Sequence, residues 1–448
     1  MATEKNPVQE LEQLRDLINS SIDIIKKNVT ENGDPPLTLK TNEPHPIYSR
    51  NDPHLAQALR TVSSSAQMLR ALLDPNTFLN DIIYGYHDET ALLVACQADV
   101  PNLIGDTDRH IDEIAAQAGL NADKLGRFLR NLCNSYIFEE TAPNRFANNA
   151  LSARFKPEGK RAIVGHCADE ARVSSCKSWE ALTLPEYKDS TEANKAPFNI
   201  AYNTSLTYFQ YVATERQDIG IRAKKAMAGK GFNLGQYLSL YPWGSQKGAK
   251  IVDVGGGIGA ATFPILQANP DLRLTVQDIP DTGPEFQKNL EQNFPDILKS
   301  GRAEFMELDF FKSAPVKGAD IYFLRHVIHD WPDAEAIKIL SGCTSSMSAQ
   351  SKLLICEHVV CPTYRSADDS TTAEKGSNSE PHFVAPEPLL ANWGDAPTSR
   401  LDLQVYTCLN AKQRTKLEYQ ALVQQAGLKL VKVWRNLGDE TILECLLR

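Results

Sequence analysis

Residues 250–260 read Lys-Ile-Val-Asp-Val-Gly-Gly-Gly-Ile-Gly-Ala, and this stretch decides the fold class. The apolar residues Ile251, Val252 and Val254 are typical of a buried parallel strand, and the glycines after them open a helix. Because glycine has no Cβ, Gly255 and Gly257 let backbone N–H groups approach a ligand closely. Doubly wound sheets bind nucleotides at the carboxyl ends of such strands, so the stretch predicts a nucleotide-type site.

The glycine motif by itself fits two kinds of ligand. Gly255-x-Gly257-x-x-Ala260 satisfies the dinucleotide fingerprint. Asp253 followed by Gly-Gly-Gly-x-Gly suits a nucleoside without a pyrophosphate, such as S-adenosylmethionine. The residues at the ends of the later strands are needed to distinguish between these two kinds of ligand.

Strands and helices alternate after residue 250, which predicts an α/β fold with a parallel sheet covered on both faces. The loop Asn-Leu-Gly-Asp between the last two strands is a hairpin signal, so we expect the sheet to end in an antiparallel pair. The predicted strands are Lys250–Val254, Arg273–Gln277, Ala303–Leu308, Asp320–Leu324, Lys352–Glu357, Leu428–Arg435 and Thr441–Leu447.

The N-terminal half is predicted to be a separate, mainly helical domain. Residues 8–29 and 55–72 carry apolar residues at helical spacing. Residues 109–148 are typical of a winged helix, with a helix ending at Gly119, a second helix capped by Asn121, and strands at Tyr136–Glu140 and Arg145–Ala147. We expect domains at 1–225 and 226–448, with a flexible insertion at 362–399 that is rich in Pro, Ser, Thr, Glu and Asp.

Composition argues against several classes of partner. The net charge of −9 and pI near 5.6 disfavour nucleic acid, so a packing role for the winged helix is preferred over DNA binding. The nine cysteines are scattered without a Cys-x-x-Cys pair, which favours a reducing compartment and gives no support for a zinc site or a disulfide framework. No secretory signal or membrane-spanning apolar stretch is recognisable, so we expect a cytoplasmic protein with no membrane and no metal.

Polar residues at the ends of the predicted strands narrow the chemistry. Asp278 ends the second strand about twenty residues after the glycines, where a carboxylate accepts hydrogen bonds from ribose hydroxyls. Asp309 and Phe310 follow the third strand and suit an adenine amino group and ring. His329, in Arg-His-Val-Ile-His-Asp-Trp, leaves the fourth strand at the same edge as a candidate proton acceptor, and Glu357 ends the fifth where it can hydrogen-bond the imidazole.

Together these motifs resemble the S-adenosylmethionine-dependent aromatic O-methyltransferases of plants and fungi, of the caffeic acid and sterigmatocystin O-methyltransferase type. The resemblance extends over nearly the whole chain, and the late Lys-Gln-Arg-Thr (412–415) and the stretch Pro-Glu-Pro-Leu-Leu-Ala-Asn-Trp-Gly (386–394), which is similar to the fungal branch, belong to it. It implies a class I methyltransferase sheet of Rossmann type, a methyl donor, a small aromatic substrate, and homodimerisation through the N-terminal domain.

The resemblance also implies roles for individual residues. His329 would deprotonate the acceptor hydroxyl, Glu357 would orient it, and Gln413 stands where the family carries a second acid beside the histidine. An amide there adds no charge and weakens the base by about one pKa unit. The cofactor contacts would be Asp253, Gly255, Gly257, Asp278, Asp309, Phe310 and Arg325, and the substrate contacts Met227, Trp331 and Tyr208.

Two other functions are compatible with parts of the sequence. The glycine loop alone allows an NAD(P)-dependent oxidoreductase, although the antiparallel hairpin, Asp309-Phe310 and the lack of a downstream Tyr-x-x-x-Lys dyad argue against it. A non-catalytic regulator could combine a DNA-binding winged helix with a metabolite-sensing α/β half.

Overall fold

The computed structural model describes residues 6–229, 236–365, 384–394, 396–435 and 440–448. The chain divides into two units, each treated by itself below. The helical unit consists of the described residues of Met1–Trp179 and Phe198–Asn233, and the sheet unit of those of Glu180–Pro197 and Leu234–Arg448.

The segment Glu180–Pro197 groups with the sheet unit, and the domains expected at 1–225 and 226–448 stay a prediction. The Asn410 side-chain amide ties this segment down by donating to the carbonyl oxygens of Ser190 at 3.0 Å and Glu192 at 2.9 Å. A contact across more than two hundred residues leaves no local signal in the sequence.

The helical unit begins with the two long helices that the apolar spacing predicts. A third long helix, Pro75–Gln97, follows them and was not predicted from the sequence. Asp52 and Asp74 cap the second and third helices by accepting backbone N–H groups. Its α-helices are Gln9–Glu31, Pro53–Leu73, Pro75–Gln97, Val100–Ile104, Ile111–Ala118, Ala122–Asn134, Glu158–Gly165, Arg172–Ser175, Tyr208–Thr214 and Gln217–Gly229; a π-helical turn covers His166–Ala171, and 3₁₀ turns cover Pro46–Ser49 and Ser152–Phe155.

A small antiparallel sheet accompanies two of these helices. Its strands are β1 (Arg109–His110), β2 (Glu139–Ala142) and β3 (Arg145–Ala147), in the order β1-β3-β2. Gly119 ends the first helix in the left-handed conformation, and Asn121 caps the second, both as expected. The strand expected at Tyr136 starts only at Glu139, because Tyr136 and Phe138 have positive φ. The identification of this module as a winged helix stays a prediction.

The sheet unit contains the predicted seven-stranded mixed sheet. Its strands are β4 (Lys250–Val254), β5 (Arg273–Asp278), β6 (Ala303–Glu307), β7 (Ile321–Arg325), β8 (Lys352–Glu357), β9 (Leu428–Arg435) and β10 (Thr441–Leu447). They lie in the order β6-β5-β4-β7-β8-β10-β9. β4 to β8 pair in parallel, and β10 runs antiparallel to both β8 and β9, which confirms the terminal antiparallel pair. The loop residues 436–439 lie outside the described residues.

The central strands of this sheet are buried on both faces, to which their side chains point alternately. In β7, Ile321 and Phe323 pack into one apolar cluster, and Tyr322 and Leu324 pack into the other. The α-helices of the unit are Gln236–Leu240, Thr262–Ala268, Gly283–Asn293, Pro295–Ser300, Asp333–Ser346, Ala396–Leu409 and Lys416–Gln425. Its 3₁₀ turns are Trp243–Ser245, Pro280–Thr282 and Ile328–Asp330. The limits between the two units fall within two short helices, Ser178–Thr183 and Pro197–Ala201.

The predicted insertion 362–399 is ordered at both described ends. Ala391 N–H donates to Thr363 O at 3.1 Å, the Asn392 side chain donates to Cys361 O at 3.1 Å, and Trp393 is buried. Residues 366–383 and 395 lie outside the described residues. Within the described part of the chain, none of the helices has the length and apolar character that a membrane span requires.

Candidate functional site

The glycine loop leaves β4 at the carboxyl edge of the sheet and is anchored to the neighbouring strand. Gly255 N–H donates to Gln277 O at 2.8 Å, and Gly257 N–H donates to Asp278 Oδ2 at 2.8 Å. Gly255 and Gly257 have φ of 72° and 57°, a conformation that other residues rarely adopt. A Cβ on Gly257 would meet no atom within 4 Å, so this loop borders open space beside the Asp278 carboxylate.

Asp253 lies beneath this loop. Its carboxylate accepts from Thr262 Oγ1 at 2.8 Å, and a Cβ on Gly256 would collide with it. Burial raises the pKa of Asp253 to about 7. With 1% of its surface exposed, Asp253 supports the loop from inside, and the direct cofactor contact predicted for it stays a prediction.

Aromatic side chains border the same edge. A Cβ built on Gly255 would lie 3.0 Å from Val327 Cγ2 and 3.6 Å from Phe310 Cε1, so the fold brings Phe310 next to the loop. The rings of Phe310 and Trp331 meet edge to face at 6.0 Å between centroids. Asp309 beside them binds Lys312 Nζ at 2.8 Å, and this hydrogen bond lowers the pKa of Asp309.

Arg325 ends β7 and pairs with an acid at the start of β10. Its Nε donates to Glu440 Oε1 at 2.7 Å, and His326 Nε2 lies 3.0 Å from the same oxygen. His326 has a positive φ of 55°, and its ring stacks against those of His329 and His358. The predicted cofactor contact of Arg325 stays a prediction, and Glu440 is a partner that the sequence did not reveal.

His329 sits in the 3₁₀ turn Ile328–Asp330 and is 3% exposed. Its Nδ1 lies 3.3 Å from Glu357 Oε2, and its Nε2 lies 3.3 Å from Asp330 Oδ1. Glu357 Oε1 accepts the backbone N–H groups of Val327, Ile328 and His329 at 2.9–3.2 Å. Glu357 therefore holds the backbone of the turn through Oε1, while its Oε2, which has no hydrogen-bond partner among the described residues, lies near the imidazole.

Glu357 is fully buried at the end of β8, and this burial decides its charge state. Burial, together with the charge of Asp330, raises the pKa of Glu357 to about 8, although the backbone N–H groups of His329 and Ile328 and the charge of Arg414 lower it. A carboxyl group and an imidazole in contact titrate as a pair. The charge of Glu357 is therefore coupled to that of the imidazole.

Gln413 reaches the same imidazole from a distant part of the chain. Its side-chain amide nitrogen lies 2.6 Å from His329 Nδ1, and its backbone N–H donates to Asp402 Oδ1 at 2.7 Å. The amide oxygen Oε1 has no hydrogen-bond partner among the described residues, although Gln413 is 3% exposed. The structure thus brings His329, Glu357 and Gln413 together, as the resemblance implies.

Arg414 is a residue of this region that the sequence analysis quoted without assigning it a role. It is fully buried and donates to the carbonyl oxygens of Ile328 at 3.0 Å and Trp331 at 2.8 Å, and to Asp333 Oδ1 at 2.7 Å. It therefore clamps both ends of the turn that carries His329. In the sequence, its position next to Gln413 in the motif Lys-Gln-Arg-Thr (412–415) is the signal that could have indicated a role for Arg414.

The remaining predicted substrate residues belong to the helical unit. Tyr208 is 4% exposed and packs edge to face against Phe198, with 5.3 Å between ring centroids. Met227 lies near the end of the helix Gln217–Gly229 with 49% of its surface exposed. Among the described residues, no group of three or more His, Cys, Asp or Glu side chains is arranged to hold a metal ion.

Comparison with protein families and with individual proteins identifies relatives of this chain. A family model described as an O-methyltransferase domain matches residues 186–377. The chain is 32% identical to 3-O-methyltransferase 2 of Phanerochaete chrysosporium, over 87% of this chain and 86% of the relative. It is also 32% identical to O-methyltransferase tpcA of Aspergillus fumigatus, over 88% of this chain and 87% of the relative.

Solved structures share the architecture. The mitomycin 7-O-methyltransferase MmcR superposes with a TM-score of 0.66 at 25% identity, over 85% of this chain and all of that chain. LepI, solved in complex with S-adenosylmethionine, gives a TM-score of 0.72 at 19% identity, over 96% of this chain and all of that chain. The second match, at its lower identity, concerns the fold alone.

Proposed function

Since the chain belongs to the O-methyltransferase family and its methyl donor is S-adenosylmethionine, we propose that it methylates a hydroxyl group of a small aromatic metabolite with His329 as general base. The named relatives are fungal, which supports a place in fungal secondary metabolism. The observation that carries the proposal is the buried His329, contacted at Nδ1 by Glu357 and Gln413.

The residues at the carboxyl edge fit the donor. The glycine loop borders open space at Gly257, and Asp278 supplies the carboxylate that ribose hydroxyls require. Phe310 gives an apolar wall for an adenine ring. Asp278 and Asp309 add negative charge, which disfavours a pyrophosphate and favours a cationic ligand. When bound, S-adenosylmethionine supplies an electrophilic methyl group on a positively charged sulfur.

His329 acts on the acceptor in this proposal. A phenol has a pKa near 10 and an imidazole near 6.5, so complete deprotonation before transfer costs about 5 kcal/mol. Removing the proton as the oxygen attacks, with both groups held in line, offsets much of this cost. The base form carries its proton on Nδ1 and accepts at Nε2. Gln413 then turns Oε1 toward Nδ1–H, which gives that buried oxygen a partner.

Glu357 stabilises the protonated imidazole once the acceptor proton has arrived. Its Oε2 faces Nδ1, while Oε1 stays fixed by the backbone of the turn. Gln413 contributes a hydrogen bond without charge, so acceptors with acidic hydroxyl groups are favoured. Met227, Trp331 and Tyr208 remain the proposed acceptor contacts.

We also propose that the protein is a cytoplasmic homodimer. The helix Pro75–Gln97 exposes a row of apolar side chains, which in a monomer would be an unusually large apolar surface. These are Leu79, Ile82, Ile83 and Tyr84, each 55–67% exposed. All nine cysteines are free, which suits a reducing compartment. Light scattering at micromolar concentration should give about twice the mass of the chain.

Ligand stabilisation followed by methyl transfer tests the proposed function. S-adenosylmethionine and S-adenosylhomocysteine should raise the melting temperature, because a ligand that binds only the folded state stabilises it. NAD and NADPH are the comparison ligands. Phenolic polyketides and phenylpropanoids are then incubated with methyl-labelled donor, and the labelled atom is identified. Stabilisation by NADPH alone, or label on carbon or carboxylate rather than on a phenolic oxygen, would contradict the proposal.

A further inference from the structure

A second imidazole lies against the ring of His329 within the sheet unit. The rings of His326 and His329 stack with 5.3 Å between centroids and 27° between their planes. His358, which follows β8, stacks against His326 at 5.0 Å and at the same angle. In the proposed reaction the buried ring of His329 gains a positive charge. The group that lies against its face therefore affects how readily it holds a proton.

The backbone of His326 has a conformation that is uncommon for its residue type. Its φ of 55° lies in the left-handed region, which costs free energy for residues other than glycine. Its backbone N–H donates to Cys356 O, on β8, at 3.1 Å. Conformations of this kind persist where the surrounding contacts hold them, and they cluster at functional sites. The fold thus holds the His326 ring in its stacked position at some cost in free energy.

A buried carboxylate lies at the ring nitrogen of His326. Glu440, the residue before β10, is 7% exposed, and its Oε1 lies 3.0 Å from His326 Nε2. Two lone pairs at this distance would repel each other, so the carboxylate favours a proton on Nε2. The same oxygen accepts from Arg325 Nε at 2.7 Å. Because Arg325 balances the charge of Glu440 and repels a second cation, the neutral form of the His326 ring is favoured.

The other charged groups near His329 lie beside its nitrogens. Asp330 Oδ1 lies 3.3 Å from Nε2, and Glu357 Oε2 lies 3.3 Å from Nδ1. His326, in contrast, stacks on the ring face. The face of a neutral aromatic ring attracts a cation, and this attraction is stronger where water is excluded. His329 is 3% exposed, so a neutral His326 ring favours its protonated state.

We propose that His326, held by Glu440, is a positioning residue that supports the protonated imidazole of His329 from its ring face. His326 makes and breaks no bond in the reaction. It stabilises the state in which His329 holds the proton taken from the acceptor. The inference rests on the proposed function, because His326 has this role only if His329 gains a proton.

The titration of His329 in the complex with S-adenosylhomocysteine tests this role. Protein with ¹³C-labelled histidine is titrated by NMR, and the signal of His329 is identified by its absence in His329→Ala. His326→Asn removes the ring, and asparagine tolerates a positive φ. The midpoint of the His329 titration should then fall by about one pH unit. The acidic limb of the kcat/KM profile should move down with it.

Three further variants separate the ring from its surroundings. His326→Phe keeps an aromatic face and should leave the midpoint close to that of the unaltered protein. Glu440→Gln removes the charge that holds His326 and should lower the midpoint, by less than His326→Asn does. Glu444→Gln is the matched control, since Glu444 is also 7% exposed and pairs with a cation, Lys352 Nζ at 3.1 Å. It should leave the midpoint unchanged.

Several results would overturn the inference. These are an unchanged or raised midpoint in His326→Asn, an equal fall in His326→Phe, or an equal fall in the Glu440→Gln and Glu444→Gln variants. Melting temperatures verify that each variant is folded, and the comparison of Glu440→Gln with Glu444→Gln decides if His326→Asn unfolds. The NMR titration involves no acceptor. Failure of the proposed function therefore shows separately, as absence of methyl transfer to any phenol.

Discussion

Two histidine–glutamate pairs, one in each unit, use the same side chains in different surroundings. His329 Nδ1 lies 3.3 Å from Glu357, and His166 Nδ1 lies 2.9 Å from Glu170. Both carboxylates are fully buried. Glu357 is held by three backbone N–H groups, whereas Glu170 is held by the guanidinium of Arg222.

The two pairs differ in how the negative charge of the buried carboxylate is stabilised. Backbone dipoles compensate Glu357 only in part, so burial leaves its pKa raised to about 8 and its charge responsive to the imidazole. A cation compensates Glu170 directly, which keeps its hydrogen bond to His166 fixed. The first pair is suited to gaining and losing a proton, and the second to holding a fixed hydrogen bond.

The largest expected effect is that of removing the imidazole of His329. His329→Ala should lower kcat by about 10²–10⁴-fold, the usual contribution of a general base, with little change in the affinity for S-adenosylmethionine. Steady-state kinetics with varied acceptor, and calorimetry for the donor, make the measurement. A fully active His329→Ala enzyme would remove the general-base assignment.

A second effect concerns the two arginines. Arg414→Met leaves the carbonyl oxygens of Ile328 and Trp331 without their donor and should destabilise the sheet unit by about 2–4 kcal/mol. Because these groups hold the turn that carries His329, kcat should fall as well. Denaturant unfolding and kinetics on the folded variant measure both quantities.

Arg222→Met is the matched variant in the helical unit. It leaves the buried Glu170 without its cation, so a loss of stability of about 3–5 kcal/mol is expected. In the folded protein, kcat should be affected less than by Arg414→Met. If Arg222→Met reduced kcat more strongly, the assignment of proton transfer to the His329–Glu357 pair would fail.

The pH dependence of stability reports on Glu357. Its pKa is about 8 in the folded protein and 4.5 ordinarily, so between these values the folded state binds more protons than the unfolded state. Stability therefore falls as the pH rises from about 4.5 to about 8, by a few kcal/mol in all. Glu357→Gln should flatten this fall, measured by denaturant unfolding at several pH values. Asp271→Asn, at an exposed position, should leave the curve unchanged, and equal slopes in both variants would contradict the role of burial.

The smallest expected effect comes from restoring a charge beside His329. Gln413→Glu places a second carboxylate near Nδ1, which stabilises the charged imidazole. The acidic limb of the kcat/KM profile should then move upward by about one pH unit. Gln424→Glu, at an exposed position, is the control and should leave the profile in place. An unmoved profile in Gln413→Glu would mean that His329 does not titrate in the catalytic step.

Much of the sheet unit was predictable because its signals are local. Each strand between 250 and 447 was located within one residue at either end, and the antiparallel pair was recognised. The strand ends also brought Asp278, Phe310, His329 and Glu357 to one edge. The long helix Pro75–Gln97 was missed, and the strand after Tyr136 began late because two residues take positive φ, which their types do not announce.

The sequence by itself determined the class of chemistry, since parallel strands end at one edge and the residues that follow them must meet there. The tertiary structure decided which groups act together. Gln413 and Arg414 reach the turn of His329 from more than eighty residues away, and Arg222 reaches Glu170 across 52 residues. Periodicity reports burial and near neighbours, whereas the pairing of buried polar groups depends on how whole elements pack.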